Sequence, residues 1–247
     1  FTTSGLVNGE TVGSVTLTSS GQGPTASVAG SPYAIVPSNA TGGTFTASNY
    51  SISYVNGAVT VTPAPLTITA QDVSKVYGQT PVLSSFSASA LVNGETVGSV
   101  TLTSSGQGPS ASVAGSPYAI APSNATGGTF TPSNYSIRYV DGALTVLQAP
   151  LTITAQDVSK VYGQTPVLSG FDASALVNGE TVGSVTLTSA GQVATASVAG
   201  SPYAIVPSHA TGGTFTPGNY SISYVNGVLT VTPASVVPPP VVPEEPP

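Results

Sequence analysis

The chain has 247 residues, and only 5% are charged, with three Lys or Arg against nine Asp or Glu and a net charge of −6. Phosphate binding needs clustered basic side chains, so this composition excludes nucleic acid as a partner. No apolar run approaches the roughly 18–20 residues needed to cross a bilayer, and the abundance of Gly, Pro, Ser, Thr and Val favours strands over helices.

A strict internal repeat organises the chain. The octapeptide Leu-Val-Asn-Gly-Glu-Thr-Val-Gly begins at Leu6, Leu91 and Leu176, 85 residues apart each time. A unit of this length exceeds the roughly 20–50-residue period of solenoids and suits a small sandwich domain. The repeat therefore predicts an all-β chain of tandem β-sandwich modules.

The predicted boundaries follow this period. Repeat 1 (1–64) lacks its opening strands, repeat 2 (65–149) and repeat 3 (150–234) are complete, and 235–247 form a Pro-rich linker or tail. The linkers between repeats are short and contain Pro, which fixes its own φ and restricts the preceding residue. We therefore expect an extended, semi-rigid rod. No signal-peptide pattern opens the chain, so we expect an internal or processed fragment.

Alternating polar and apolar residues predict the strands. Leu66 and Ile68 alternate with Thr67 and Thr69, a pattern typical of a half-buried strand. Runs of this kind predict six or seven strands in each complete repeat.

Two sets of Asn-Gly or Asp-Gly dipeptides indicate turns. The first set lies between two alternating runs and predicts a type I′ β-hairpin, because that turn needs a positive φ at both central residues; it begins at Asn56, Asp141 and Asn226. The second set indicates either another hairpin or the closing of a loop; it begins at Asn8, Asn93 and Asn178.

Three segments resemble the hallmarks of a known family. Lys75-Val76-Tyr77-Gly78, Asn134-Tyr135-Ser136-Ile137 and Gly142-Ala143-Leu144-Thr145-Val146 are similar to the motifs of MBG-type Ig-like repeats. The resemblance covers repeats 2 and 3 and most of repeat 1. It implies tandem Ig-like sandwiches in a large secreted bacterial adhesin, at the cell surface, with a structural or adhesive role. It brings no catalytic or cofactor-binding residues.

The residues themselves offer no catalytic or metal-binding constellation. The single histidine, His209, is replaced by Asn39 and Asn124 in the other repeats, which indicates a neutral surface substitution. Glu10 and its equivalents follow Asn-Gly and are expected to be solvated acids. No Asp-x-Asp-x-Asp-Gly loop is present for calcium. We expect no enzyme, no metal and no cofactor.

The recurring lysines, Lys75 and Lys160, leave two interpretations open. One is an intramolecular Lys–Asn isopeptide crosslink with Glu95 or Glu180 as the proton shuttle. The other, which we favour, is an ordinary surface contact of Lys75 with Asp72 or with the neighbouring tyrosine.

The missing start of repeat 1 predicts an open sheet edge. Unpaired N–H and C=O groups at such an edge can accept a strand from another chain. The candidate acceptor region is Phe1, Leu6 and Val7. Either the chain is cut within a repeat, or repeat 1 accepts a donated strand and chains associate head to tail.

The expected function is a structural spacer or stalk in a secreted bacterial surface adhesin or extracellular fibre. Its expected partners are neighbouring repeats and further copies of the chain. The alternative is a module that binds host or matrix glycans or mucins through exposed tyrosines, with Tyr33, Tyr118 and Tyr203 as candidates.

Overall fold

A computed structural model describes residues 1–89, 91–174 and 176–236. Within them the structure consists of strands, turns and single turns of 3-10 helix, which confirms the all-β prediction. The chain divides into two compact units. Unit 1 contains residues 1–71, 83–103 and 120–142, and unit 2 contains 72–82, 104–119 and the described residues from 143 onwards. Each unit draws on more than one repeat, and the division into three domains stays a prediction.

The strands recur with the sequence repeat. Repeat 1 contains β1 (Val12–Thr18), β2 (Tyr33–Gly43) and β3 (Gly57–Val59). Repeat 2 contains β4 (Ala64–Ala70), β5 (Val73–Val76), β6 (Phe86–Ala88), β7 (Val97–Thr103), β8 (Tyr118–Gly128), β9 (Tyr135–Val140) and β10 (Gly142–Leu147). Repeat 3 contains β11 (Ala149–Ala155), β12 (Val158–Val161), β13 (Phe171–Ala173), β14 (Val182–Thr188), β15 (Tyr203–Gly213), β16 (Tyr220–Val225) and β17 (Gly227–Thr232).

Short 3-10 turns connect the strands. They lie at Ser20–Gln22, Val28–Gly30, Ala47–Asn49, Val92–Gly94, Val113–Gly115, Pro132–Asn134, Ala190–Gln192 and Pro217–Asn219.

Repeat 3, in unit 2, is a two-sheet sandwich. One sheet has the order β13-β11-β16 and the other the order β12-β17-β15-β14. Leu151, Ile153 and Ala155 point inward from β11 and are at most 2% exposed. Ala155 packs in one cluster with Ile205 and Leu229 from the other sheet. The core therefore lies between the sheets, which confirms the predicted sandwich.

Unit 1 contains the corresponding first sheet of repeat 2, with the order β6-β4-β9. Its central strand, β4, is parallel to β9 and antiparallel to β6. Leu66 and Ile68 from β4 pack against Ala125, Phe130 and Tyr135. The alternation read in the sequence therefore places the apolar side chains in the core.

The predicted hairpin at Asn226 is wrong. β16 and β17 follow each other in the chain but belong to different sheets, so the dipeptide lies at a crossover between sheets. Asn226 and Gly227 are not among the residues with positive φ, and the same holds at positions 56 and 141. The glycine serves close packing instead, because a Cβ at Gly227 would lie 2.5 Å from the carbonyl oxygen of Ala155.

The second set of dipeptides closes a loop, one of the two predicted alternatives. Asn178 and Gly179 have φ values of 56° and 70°, and Glu180 donates its N–H to the carbonyl of Val177 over 3.0 Å. The turn connects β13 with β14, which lie in different sheets.

Candidate functional site

Repeat 1 has an open groove where the complete repeats have a central strand. Residues 1–3 and 50–55, at the positions of β6 and β9, form no strand in repeat 1. Both segments line a groove of about 710 Å³. Its apolar lining includes Phe1, Leu6, Leu17, Ile35, Phe45 and Ile52.

The groove leaves the core of repeat 1 open to solvent. Ile120 and Ile205 are 0% exposed, whereas Ile35 at the same position is only half-buried. Phe130 is 7% exposed, and its equivalent Phe45 is half-buried. Within the described residues 1–65, no side chain is fully buried. The absent strand therefore affects the whole repeat and not only one sheet edge.

The three predicted acceptor residues differ in their exposure and in whether they line the groove. Phe1 is 63% exposed and Leu6 is half-buried, and both line the groove. Val7 is 57% exposed and is not part of the lining, and its N–H donates to the Tyr50 hydroxyl over 3.2 Å. A role of these residues in accepting a strand stays a prediction.

A glutamate–tyrosine hydrogen bond recurs in every repeat. Tyr135 donates its hydroxyl to Glu95, and Tyr220 donates to Glu180, each over 2.5 Å. Tyr50 makes the same bond to Glu10. The glutamates are half-buried acceptors, so the prediction of solvated acids was wrong. Its physical reason is that the tyrosine lies 40 residues further along the chain, beyond the reach of the local turn pattern.

In unit 2, Glu180 also connects repeat 3 with repeat 2. Tyr77 donates its hydroxyl to Oε1 of Glu180 over 2.6 Å, while Tyr220 donates to Oε2. The two rings meet edge to face, with centroids 5.6 Å apart and an interplanar angle of 79°. Burial, followed by the bond to Glu180, raises the pKa of Tyr220 to about 12. The pKa of Tyr77 is also raised, by the same two causes in the same order.

An asparagine completes this junction between repeats 2 and 3. The Oδ1 of Asn219 accepts the N–H of Val113 over 2.9 Å, and Asn219 is 4% exposed. The Nδ2 of Asn178 donates to the carbonyl of Pro109 over 3.2 Å. Two side-chain amides of repeat 3 therefore satisfy main-chain groups of repeat 2.

Unit 1 contains the same junction one period earlier. The Oδ1 of Asn134 accepts the N–H of Val28 over 2.9 Å, and the Nδ2 of Asn93 donates to the carbonyl of Pro24 over 3.0 Å. The contact between successive repeats is thus repeated with the sequence.

The Tyr-Gly and Asn-Tyr motifs therefore meet at the contact between successive repeats. The family model of the MBG domain (YGX type) matches residues 1–60, 66–145 and 151–230. The chain belongs to this family. The MBG resemblance read from the motifs is confirmed. Comparison with curated proteins found no match, and comparison with solved structures also found none.

The role of the MBG motif residues at the junctions was not predicted from the sequence. Asn134 was noted only as part of one motif, and Tyr77 only as part of another. Their strict recurrence was the available signal, because a buried polar side chain needs a fixed partner in every copy.

The recurring lysines of the MBG repeats are buried, so the favoured surface contact was wrong. Lys75 and Lys160 are each 3% exposed. Lys160 donates from Nζ to the carbonyls of Gln164 over 3.1 Å and of Val193 over 2.5 Å. Lys75 likewise donates to main-chain carbonyls rather than to an asparagine side chain, and burial lowers its pKa.

Hydrogen bonds from the lysine ammonium groups to main-chain carbonyls explain this burial. A buried ammonium needs several acceptors to replace its water, and main-chain carbonyls supply them. Asp72, proposed as a surface partner of Lys75, instead accepts the N–H of Ala143 over 2.8 Å. The contacts of Lys75 give no support to the isopeptide crosslink.

The three candidate glycan-contacting tyrosines are half-buried rather than exposed. Tyr33 donates its hydroxyl to the carbonyl of Ser27 over 2.8 Å. Its ring lies against Gly21 and Gly30, because a Cβ at either glycine would come within 3 Å of it. Tyr118 and Tyr203 repeat these contacts. Their side chains support a local loop, and a role in binding glycans stays a prediction.

His209 has a φ of 49°, and Asn39 and Asn124 at the same position have 48°. Histidine and asparagine both tolerate this left-handed region, which explains the exchange.

Across residues 1–89, 91–174 and 176–236, no group of three His, Cys, Asp or Glu side chains is placed to hold a metal ion. No helix in this described part is long and apolar enough to cross a membrane.

Proposed function

We propose that this chain is a structural spacer in a secreted bacterial surface adhesin, where it works outside the cell and without catalysis. Its support is the tandem recurrence of MBG domains together with a junction that repeats the same hydrogen bonds in unit 1 and unit 2. Asn219 and Asn134 restrict the angle between successive repeats, because each ties a main-chain group of the preceding repeat.

The observation that carries the proposal is the parallel pairing of the two opening strands of a repeat, β11 and β12, with its two closing strands, β16 and β17. The chain enters repeat 3 through β11 and β12 and leaves it through β17. β12 is parallel to β17 over four residue pairs, from Val158 opposite Leu229 to Val161 opposite Thr232. A pull on both ends slides parallel strands past each other, so all hydrogen bonds between them are loaded together. This geometry resists tension.

Force spectroscopy on the whole chain tests this function. Each complete repeat of 85 residues should give an extension of roughly 280–310 Å when it unfolds, at about 3.3–3.6 Å per residue. We expect two such events at high force. Repeat 1 is the internal control, because it has no strands equivalent to β11 and β12, and it should yield at a much lower force. Equal forces for all three repeats would contradict the mechanical role.

We also propose that repeat 1 takes part in association between chains, in the simplest case head to tail by strand donation. The open groove supports this proposal. Light scattering over a range of concentrations tests it. A mass that rises with concentration supports self-association, and a monomer at every concentration removes it. Residues 237–247 of the predicted Pro-rich tail lie outside the described ones.

Glycan binding remains the alternative function, and no contact described above favours it. Replacing Tyr33, Tyr118 and Tyr203 by Ala and measuring binding to mucin tests it. Unchanged binding would leave the spacer role in place.

A further inference from the structure

The Tyr-Gly turn of repeat 2 forms one part of the surface that receives repeat 3. Its Tyr77 donates a hydrogen bond to Glu180, and the side chain of Val177 lies directly against Gly78. A Cβ at Gly78 would lie 2.8 Å from that side chain, and Gly78 has a φ of 91°, so only glycine fits this contact. The turn therefore has to hold a fixed position when repeat 3 packs against it.

The loop between β7 and β8, here called the docking loop, supplies the rest of this surface. The carbonyl of Pro109 accepts a hydrogen bond from the Nδ2 of Asn178, and the N–H of Val113 donates to the Oδ1 of Asn219. The carbonyl of Pro109 also accepts the N–H of Gly78 over 3.1 Å. The turn and the docking loop thus form one surface, although β6 and β7 lie between them in the chain.

Lys75 connects the turn with the docking loop. Its Nζ donates to the carbonyl of Gln79 in the turn over 3.0 Å, and to the carbonyls of Gln107 and Gly108 in the docking loop. Gly108 directly precedes Pro109, whose carbonyl bonds to repeat 3. These three acceptors belong to repeat 2, so the ammonium acts on the junction through the groups that it holds.

The positive charge of Lys75 is needed for this arrangement. Three carbonyl oxygens converge on its Nζ, and their partial negative charges repel one another unless a cation lies between them. An apolar side chain of the same length would leave these buried carbonyls without a donor, which favours a loop conformation that turns them toward water. Loss of the charge should therefore move the docking loop even when the space is filled.

We propose that Lys75 is a positioning residue for the junction, and that its ammonium holds the Tyr-Gly turn and the docking loop in the arrangement that receives repeat 3. The inference rests on the proposed spacer role and adds the residue that sets the contact between successive repeats. Lys160 makes the equivalent bonds to Gln164 and Val193, so the arrangement recurs with the sequence.

Hydrogen exchange of single amides in the full chain, followed by NMR, tests the inference. Asn219→Ala removes the acceptor of the Val113 N–H and should speed its exchange at least tenfold through local opening. Lys75→Met should have an effect of the same size, although Lys75 bonds to neither group. The amide of Val92, which donates to the Tyr135 hydroxyl in the same repeat, should change less than threefold. An unchanged Val113 amide, or equal acceleration at Val92 and Val113, would overturn the inference.

Lys160→Met is the matched control. It removes the equivalent bonds in repeat 3. Tyr162 and Val193 beside it are 48% and 55% exposed, so this side of repeat 3 lies outside the junction with repeat 2. Exchange of the Val113 amide should change less than threefold. An effect as large as that of Lys75→Met would also overturn the inference, because it could not act through the docking loop.

A pair of chemical isosteres separates the charge of Lys75 from its shape. The chain has no cysteine, so Lys75→Cys gives a single thiol that can be alkylated in denaturant before refolding. Bromoethylamine restores a side chain of lysine length with its ammonium, and bromopropane gives a neutral side chain of the same length. The first should return exchange at Val113 to within threefold of the unsubstituted chain, and the second should leave it at least tenfold faster. Equal exchange in the two products would contradict the role of the charge.

The unfolding force of the repeats tests the spacer role separately. Parallel strands resist tension whether or not Lys75 sets the junction, and exchange at the Val113 amide reports the junction without any applied force. A failure of the lysine inference is therefore distinguishable from a failure of the spacer role.

Discussion

Replacing the equivalent isoleucine by alanine should lower stability by different amounts in a repeat with a closed core and in repeat 1, whose core is open. Ile205 is 0% exposed and packs against Leu229 and Ala155. Ile205→Ala removes three carbons, worth about 2.4 kcal/mol at ~0.8 kcal/mol per buried methylene. The cavity left in the closed core adds to this, so we expect a loss of about 3–4 kcal/mol. Ile35 lines the open groove, where water already reaches it. For Ile35→Ala we expect a loss of about 1 kcal/mol, since half of the transfer term applies and no closed cavity forms.

Hydrogen exchange read by mass spectrometry measures both costs in the full chain. Peptides over β2 and β15 differ at Asn39 and His209, so they are distinguishable by mass. The free energy of local opening follows from the protection of each peptide. Val82→Ala is the control and should change neither. Equal losses at Ile35 and Ile205 would refute the open core of repeat 1.

Three further predictions concern the buried polar groups. The pKa of Tyr220 is about 12 in the folded chain and about 10 in the unfolded one, so its stabilising contribution is complete below pH 10 and is lost as the pH rises to 12. Denaturation followed by circular dichroism should show that the free energy of unfolding falls by about 2–3 kcal/mol over this range. Tyr220→Phe should flatten this pH dependence. Glu180→Gln replaces the carboxyl group that accepts two hydroxyls, from Tyr77 and Tyr220, and should lower the free energy of local opening of β16 by about 1–3 kcal/mol. No change in the hydrogen exchange of β16 would contradict this role. Lys160→Met leaves the carbonyl of Val193 without its ammonium donor, so it should lower the free energy of unfolding in urea by about 1–3 kcal/mol. The intact mass of the unsubstituted chain should equal that of the sequence, because a crosslink would lose ammonia.

The sequence was sufficient for the features that depend on periodicity. The 85-residue recurrence predicted tandem repeats, and the alternation at Leu66 and Ile68 predicted an inward face that the structure places in the core. Both signals are carried by neighbouring residues or by exact recurrence, so they need no knowledge of strand partners.

Contacts between residues that lie far apart in the chain could not be predicted from the sequence. The dipeptide at Asn226 has the composition of a hairpin turn, yet the strand before it pairs with β11, which begins at Ala149. The burial of Lys160 depends on the carbonyl of Val193, 33 residues away. Local sequence patterns cannot predict such contacts, because they contain no information about the residues that pack against a segment in the fold.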